Sequence, residues 1–139
     1  MVFGVPGTAE ALLAARVLFA VVLGTLAAGN LLDLSGTIAY AESKGAPVAS
    51  MMVPTTTLVL LAGAVVILVG AYPVVGALAV LGFMLGVTPV MHDFWNAEGM
   101  DRQNERFHFL KNMGLAAGAL AFFAISGVPW PYAVGVGVW

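Results

Sequence analysis

Four apolar runs, separated by short polar connections, set the pattern of this chain. They cover residues 12–34, 55–71, 74–91 and 108–126. Each run is close to the ~20 residues that an α-helix needs to cross a bilayer, although the second is near the short limit. The pattern predicts an all-α fold, a transmembrane four-helix bundle in which residues 1–139 form one membrane domain.

The connections between these runs carry the helix-breaking and charged residues. Residues 37–44 are a mixed stretch that predicts a short helix at the membrane interface. Pro54 lacks an N–H and fits the beginning of the second helix, whereas Pro89 predicts a kink or an end in the last turn of the third. We expect Glu98–Arg106 to be a solvated loop, because its charges keep it in water.

Composition agrees with a membrane protein and excludes several classes. Of the 139 residues, 61% are hydrophobic and 9% are charged, whereas an ordinary soluble domain is about half apolar and a quarter charged. The net charge of −2 gives no electrostatic footprint for nucleic acid, and the absence of Cys excludes disulfides, Fe–S clusters and cysteine-bound zinc. We expect a multi-pass protein of the cell membrane, surrounded by the lipid bilayer.

Small residues recur at four-residue spacing within the spans, at residues 20–28, 82–86 and 114–118. Such positions let helix backbones approach closely where lipid offers no hydrophobic drive for association. We interpret them as packing positions inside the bundle. The alternative is a contact between copies, which would give a homo-oligomer.

The chemistry-bearing residues are concentrated in the connection between the third and fourth runs. Seven of the twelve charged residues and both histidines lie between His92 and Lys111. If these residues have a function, we interpret them as the lining of a polar pocket that contains a titratable histidine. Phe109 and the aromatic residues of the set below would form a wall of this pocket that suits a flat ligand such as a quinone head group. The candidate ligand-binding residues are His92, Asp93, Phe94, Trp95, His108, Lys111 and Asn112.

Charged residues near the hydrocarbon boundary need partners. A carboxylate and an ammonium are costly there when alone, so we expect Asp33 and Lys111 to form a structural ion pair, with Asp93–Lys111 as the alternative. Arg16 lies near enough to the end of its span to snorkel towards the interface; otherwise it marks a polar seam inside the bundle.

Other site chemistries fit the sequence poorly. His92 and His108 lie on the same membrane face, and nothing in the sequence fixes them on opposite sides of a haem. The adjacent pair His92-Asp93 is not a defined spacing for metal ligands. No serine has a histidine or an acid at a suggestive spacing, so we predict no metal site and no catalytic residue.

These residues together resemble the DoxX family of small four-helix membrane proteins. The resemblance covers nearly the whole chain and implies a membrane bundle that works near quinones or respiratory complexes, since the family is named for a subunit associated with an archaeal terminal quinol oxidase and with thiosulfate:quinone oxidoreduction. The motif positions that it implies are Arg16, Gly45, Pro47, His92, Phe94, Trp95, His108, Phe109, Lys111 and Asn112.

The sequence departs from the family pattern at two places. Many members have a lysine late in the first span and a glutamate early in the second, and these places correspond here to Leu32 and Leu60. If the lysine and the glutamate form a buried ion pair in those members, a protein that lacks one of them must also lack the other, because the remaining charge would lie unpaired in lipid.

Three functions remain open. The first is a non-catalytic accessory or interaction subunit associated with a respiratory or quinone-linked membrane complex, favoured by the short loops and the small-residue helix faces. The second is a quinone-binding oxidoreductase component that uses the end formed by His92, Trp95, His108 and Lys111. The third is a membrane chaperone or cargo-binding protein.

Overall fold

The computed structural model describes residues 2–137 of the chain, and these residues form helices and short connections. Met1, Val138 and Trp139, which the single-domain prediction includes, lie outside the described residues. The helices are α1 (Thr8–Leu32), α2 (Leu34–Ser43), α3 (Ala49–Val69), α4 (Pro73–Met91) and α5 (Gly99–Ala124), with a 3-10 helix, Phe94–Asn96, between α4 and α5. Four of them, α1, α3, α4 and α5, are long and apolar enough to cross a membrane. The predicted all-α transmembrane bundle is confirmed.

The helix boundaries differ most from expectation at the start of α5. This helix begins at Gly99 with Glu98 as its N-cap, so of the segment Glu98–Arg106 all residues after Glu98 are helical rather than in a loop. The segment is exposed, as its charges predicted, except for the partly buried Glu105. Arg, Gln and Glu are good helix formers, so a charged stretch can extend a membrane helix into water without losing its helical conformation.

Pro54 also lies elsewhere than predicted. The helix α3 begins at Ala49, five residues before the proline, so Pro54 is in its second turn rather than at its start. The proline removes one backbone hydrogen bond, to the carbonyl of Ser50, which lies close to the helix end. The short interfacial helix predicted for residues 37–44 exists as α2, beginning slightly earlier at Leu34.

Packing runs in a chain from α1 to α3, from α3 to α4 and from α4 to α5, while α2 lies against α3. The closest approach joins α3 and α4 at two glycines: a Cβ on Gly76 would lie 2.5 Å from the side chain of Val66, and a Cβ on Gly63 would lie 3.0 Å from Val80. The fully buried core contains Leu23, Leu60, Ile67, Val80 and Met84.

The small-residue motifs have a smaller packing role than predicted. A Cβ on Gly24, Gly82, Gly86 or Gly114 would meet nothing within 4 Å, whereas one on Gly118 would lie 2.9 Å from the Phe19 ring. Close packing between helices therefore occurs at Gly63, Gly76 and Gly118, and only Gly118 belongs to those motifs. The reason is that the spacing does not fix the rotation of a helix about its own axis. Small residues four apart share one helix face, but their spacing does not indicate whether that face points towards the core or towards lipid.

The outer surface of the bundle is apolar. Large hydrophobic side chains on every long helix are exposed, among them Leu18, Val21, Leu58, Val75 and Leu85. In water such a surface would be costly, and in lipid it is the expected contact with acyl chains. The chain is accordingly a multi-pass membrane protein.

The end of the bundle that carries both termini is fastened by Arg16. This residue is 1% exposed. Its guanidinium donates hydrogen bonds to the carbonyls of Ile67 (3.1 Å) and Leu68 at the end of α3, and of Pro131 (2.9 Å) and Tyr132 (3.3 Å) in the C-terminal segment. Arg16 therefore does not snorkel: it satisfies carbonyls at a helix C-terminus, where the helix dipole favours a cation.

Candidate functional site

At the opposite end of the bundle, a cluster of polar side chains forms around Glu105, and we call it the Glu105 cluster: Tyr40, Lys44, His92, Asp93 and Glu105. The Tyr40 hydroxyl donates a hydrogen bond to Glu105 Oε1. Nδ1 of His92 lies 2.7 Å from Glu105 Oε2, and Nζ of Lys44 lies 3.5 Å from Glu105 Oε1. One carboxylate on α5 thus joins α2 to the end of α4.

Lys44 and Asp93 form a second short contact in this cluster, an ion pair. Their Nζ and Oδ1 atoms are 2.7 Å apart, and the amide of Asn96 donates a second hydrogen bond to Asp93 at 3.1 Å. The hydrogen bond to Asp93 raises the pKa of Lys44 above its ordinary value. Partial burial, together with the hydrogen bond to Glu105, raises the pKa of Tyr40 to about 12. Both groups stay protonated at neutral pH, so the cluster is held together by their donated protons.

The ion pairs expected for Lys111 are not formed within residues 2–137. Asp93 is bound by Lys44 instead. Asp33 is the N-cap of α2, where its carboxylate accepts a hydrogen bond from the backbone N–H of Gly36 at 3.2 Å. An aspartate directly before a helix has a strong local alternative to a distant lysine, since it satisfies an otherwise unpaired N–H of the first turn.

The two histidines stack on each other. The ring centroids of His92 and His108 are 5.0 Å apart, and the ring planes differ by 21°. In this arrangement the ring faces, rather than opposed nitrogen atoms, point towards each other. The geometry therefore does not place the two rings on either side of a porphyrin.

The aromatic residues predicted to line a pocket instead pack on one another. Phe94 meets Trp95 and Phe109 edge-on, with centroid distances of 5.3 Å for both pairs, and Trp95 meets Phe109 at 5.9 Å. This trio ties the 3-10 helix to α5. None of its three members belongs to the lining of the cavity described next.

A cavity of 310 Å³ lies beside the Glu105 cluster, between the ends of α1 and α4, the start of α2 and the middle of α5. Its floor is apolar and fully buried, formed by Leu60 and Met84. Its polar lining comes from two sides. The residues from α1, α2 and their junction are Asn30, Asp33, Thr37 and Tyr40, and those from the end of α4 and from α5 are His92, Lys111 and Asn112.

Two asparagines on opposite sides of this cavity are tied to threonines on neighbouring helices. Asn30 donates to Thr57 Oγ1 at 3.3 Å, and Asn112 donates to Thr88 Oγ1 at 3.0 Å. Asn112 is only 6% exposed, and its Oδ1 has no hydrogen-bond partner within the described chain. Such an atom is uncommon, because buried polar groups are nearly always hydrogen-bonded.

Lys111 lies at the rim of the same cavity, with an exposed side chain. Asp33 lies on the rim as well, but the two side chains do not come within ion-pair distance in the described structure. The sequence did not reveal the space that separates these two residues.

Leu32 and Leu60, the two places at which the sequence departs from the family pattern, differ in burial. Leu60 is fully buried in the cavity floor, whereas Leu32 is 88% exposed at the end of α1. These two positions therefore do not share a buried environment in this chain.

Of the seven predicted site residues, His92, Lys111 and Asn112 line the cavity. Asp93 belongs to the adjoining Glu105 cluster, His108 stacks on His92, and Phe94 and Trp95 lie in the aromatic trio. The residues that sequence reasoning missed are Asn30, Tyr40, Lys44 and Glu105. A helical spacing could have found some of them, since Tyr40 and Lys44 are four residues apart on α2, and Glu105 precedes His108 by three on α5.

A comparison with protein-family models assigns residues 11–93 to DoxX. The matched segment covers more than half of the chain and contains Arg16, Gly45, Pro47 and His92, whereas the motif positions from Phe94 onward lie beyond it. No curated protein matches the sequence, and no solved structure matches it either. The family match, together with the four apolar helices, confirms the resemblance: the chain belongs to the DoxX family.

Proposed function

We propose that this protein is a quinone-binding accessory subunit of a quinone-linked or respiratory complex in the cell membrane, and that it holds the head group of a quinone or quinol in the cavity between α1, α2, α4 and α5. One observation carries the proposal. The cavity lies in a bundle with an apolar outer surface, and its lining includes an ammonium group, Lys111, and a buried amide, Asn112, whose Oδ1 has no hydrogen-bond partner in the described chain.

The size of the cavity supports a small ring as the occupant. Ligand sites are clefts of ~300–1,000 Å³ with mostly apolar walls and a few placed polar groups. At 310 Å³ the cavity is at the lower end of that range. Its buried floor of Leu60 and Met84 supplies an apolar surface for the ring.

The polar groups match the two redox forms of such a head group. A quinone carbonyl accepts a hydrogen bond, and the ammonium of Lys111 donates one. A quinol hydroxyl donates a hydrogen bond, which Asn112 Oδ1 can accept, because the Nδ2 of that residue is already bound to Thr88. A buried acceptor without a partner costs ~1–3 kcal/mol, so a ligand hydroxyl that satisfies it gains binding free energy.

An accessory role fits the rest of the Glu105 cluster. Its acids and bases are bound to one another, so Glu105 and Lys44 serve to fix α2 and α5 beside the cavity. In the proposed role the protein positions the quinone and a partner carries the electrons.

Binding can be measured in lipid nanodiscs. A short-chain quinone is titrated against the purified protein while tryptophan fluorescence is recorded, and lipid extracted from the untreated protein is analysed for quinone. We expect saturable quenching and co-purified quinone. Lys111→Met should weaken binding about tenfold, or ~1.4 kcal/mol. The matched control is Arg102→Met, which removes an exposed cation from the same helix.

Absence of both co-purified quinone and saturable quenching in the wild-type protein would overturn the binding proposal. The subunit role has its own test, purification in mild detergent. A stoichiometric partner is expected, and a protein that always migrates alone contradicts that part of the proposal.

A further inference from the structure

We infer that the hydrocarbon chain of the bound ligand lies in an apolar groove between α1 and α5, so that the ligand reaches the cavity sideways from the bilayer. The inference rests on the proposed function, because it concerns a ligand whose head occupies the cavity. It adds a second binding site, the class of group that the site accepts, and the direction of access.

The groove exists because α1 and α5 are neighbours that pack loosely. Whereas α1 packs on α3 and α5 packs on α4, no comparable interface joins α1 to α5 in the described chain. The two helices meet where the Phe19 ring contacts Phe122, with centroids 5.1 Å apart, and lies close to Gly118. Along this boundary a groove of 490 Å³ is lined almost entirely by apolar side chains.

The groove lies end to end with the polar cavity. On α1 the groove reaches Val22, and the cavity begins one helical turn later at Leu26; on α5 the groove reaches Leu115, and the cavity begins one turn earlier at Lys111. Residues four apart lie on one helix face. The two spaces therefore follow each other along α1 and α5, and we call them together the seam, which is polar at the cavity, where α2, α3 and α4 also contribute residues, and apolar along the groove.

The length of the seam matches a lipid-soluble molecule. From Leu12 to Asp33, α1 advances about 31 Å at 1.5 Å per residue, which is close to the ~30 Å thickness of the hydrocarbon core. A ligand could therefore place its polar head beside Asp33 and Lys111 and its hydrocarbon chain along α1. The head would then lie among polar residues and the chain among apolar ones.

The position of the groove next to the cavity favours a chain over a helix. The groove spans Leu12 to Val22 on α1, about 15 Å. A head group held in the cavity brings its own hydrocarbon chain to the near end of the groove, whereas a helix from a second copy would have no contact with the polar cavity. A single hydrocarbon chain is therefore the occupant that we infer, and a helix from a second copy is the alternative outcome of the test.

Two alanines on α5 provide a matched pair of variants. Ala121 is exposed and lines the groove, whereas Ala117 is exposed and does not. Ala121→Phe fills the groove, and Ala117→Phe adds the same side chain to the lipid-facing surface. Val22→Phe blocks the groove from the facing helix, so the test does not depend on the folding of one variant.

The experiment compares a quinone without a chain and the same ring with a long prenyl chain, each titrated into nanodiscs as a mole fraction of lipid. We expect the wild type and Ala117→Phe to bind the long-chain form at least tenfold more tightly than the chainless form. Ala121→Phe and Val22→Phe should lose this preference while their affinity for the chainless ring stays unchanged.

The outcomes separate this inference from the proposed function. If the chainless ring binds but the wild type has no preference for the long chain, or if both groove variants keep the preference, the groove inference is wrong and the head-group site stands. If Ala121→Phe instead changes the oligomeric mass in native mass spectrometry, a second copy occupies the groove, which also overturns the inference. If neither ring binds, the proposed function fails, and the inference fails with it.

Discussion

The two ends of the bundle hold charge in opposite ways. At the end that carries the termini, Arg16 is buried and donates to four backbone carbonyls of α3 and the C-terminal segment. At the other end, the charged groups of the Glu105 cluster pair with one another's side chains rather than with the backbone. Lys111 and Asn112 lie beside the cavity there, and neither the ammonium of Lys111 nor Oδ1 of Asn112 has a partner in the described chain. Backbone carbonyls cannot move away, so the first end is a fixed structural clamp. The second end keeps polar groups that a ligand can use.

The largest expected effect is at the clamp. Arg16→Leu leaves four carbonyls without their donor in a water-poor environment, and we expect it to lower the free energy of unfolding by ~3 kcal/mol or more. The amides of Tyr72 and Val134, which hydrogen-bond between the α3–α4 turn and the C-terminal segment, should lose hydrogen-exchange protection. Thermal unfolding in detergent and hydrogen exchange measure both. Wild-type protection of these amides in the variant would show that Arg16 is not the clamp.

The next largest effect is in the Glu105 cluster. Glu105→Ala removes the shared acceptor of Tyr40, Lys44 and His92, and we expect a loss of ~1.5–3 kcal/mol in the free energy of unfolding, the range for hydrogen bonds to charged groups. Hydrogen exchange should increase in α2 and not in the C-terminal segment. Glu42→Ala, an exposed glutamate on α2, is the control. Equal exchange in the two variants would contradict the role given to Glu105.

Alkaline pH should loosen this end and leave the clamp intact. A tyrosine in the unfolded chain titrates near pH ~10, and the pKa of Tyr40 is raised to about 12. The pKa of Lys44 is raised as well. The stability that these two groups contribute is therefore complete below pH ~10 and is lost as pH rises towards 12. Tyrosine absorbance should show a component near pH 12 that is smaller by one tyrosine in Tyr40→Phe. An unchanged amplitude of this component in the variant contradicts the assignment.

The smallest expected effect on stability is at Lys111. Lys111→Met removes a charge that has no ion-pair partner in the described chain, so we expect a change within ~0.5 kcal/mol, as for surface substitutions. Unfolding in detergent provides the comparison with Glu105→Ala. A loss as large as that of Glu105→Ala would show that Lys111 belongs to the structural network rather than to a ligand site.

Local features of the sequence predicted the fold well. The limits of α4 follow closely from the Tyr72-Pro73 turn and from the polar residues after Met91. The family could be named because its motifs are contiguous in sequence. The start of α5 was missed because charge indicates exposure to water and not the conformation of the backbone.

The sequence indicated the end of the bundle at which the cavity lies, but not the contacts made there. Charge density pointed to this end, yet Lys44 and Asp93 pair across 49 positions of the chain, and no local pattern chooses between Lys44 and Lys111 as the partner of Asp93. The clamp at Arg16 was missed for a similar reason, because its acceptors are backbone carbonyls, which every residue has. The cavity depends on the loose packing of α1 against α5, which only the assembled bundle reveals.

The central claim is that the cavity holds a quinone or quinol head group. Native mass spectrometry of the protein ejected directly from its membranes tests it without added ligand. The account predicts one adduct with the mass of a membrane quinone, present in the wild type and in Arg102→Met and largely lost in Lys111→Met. A wild-type protein that carries only phospholipid adducts, or an adduct that Lys111→Met leaves unchanged, would contradict the claim.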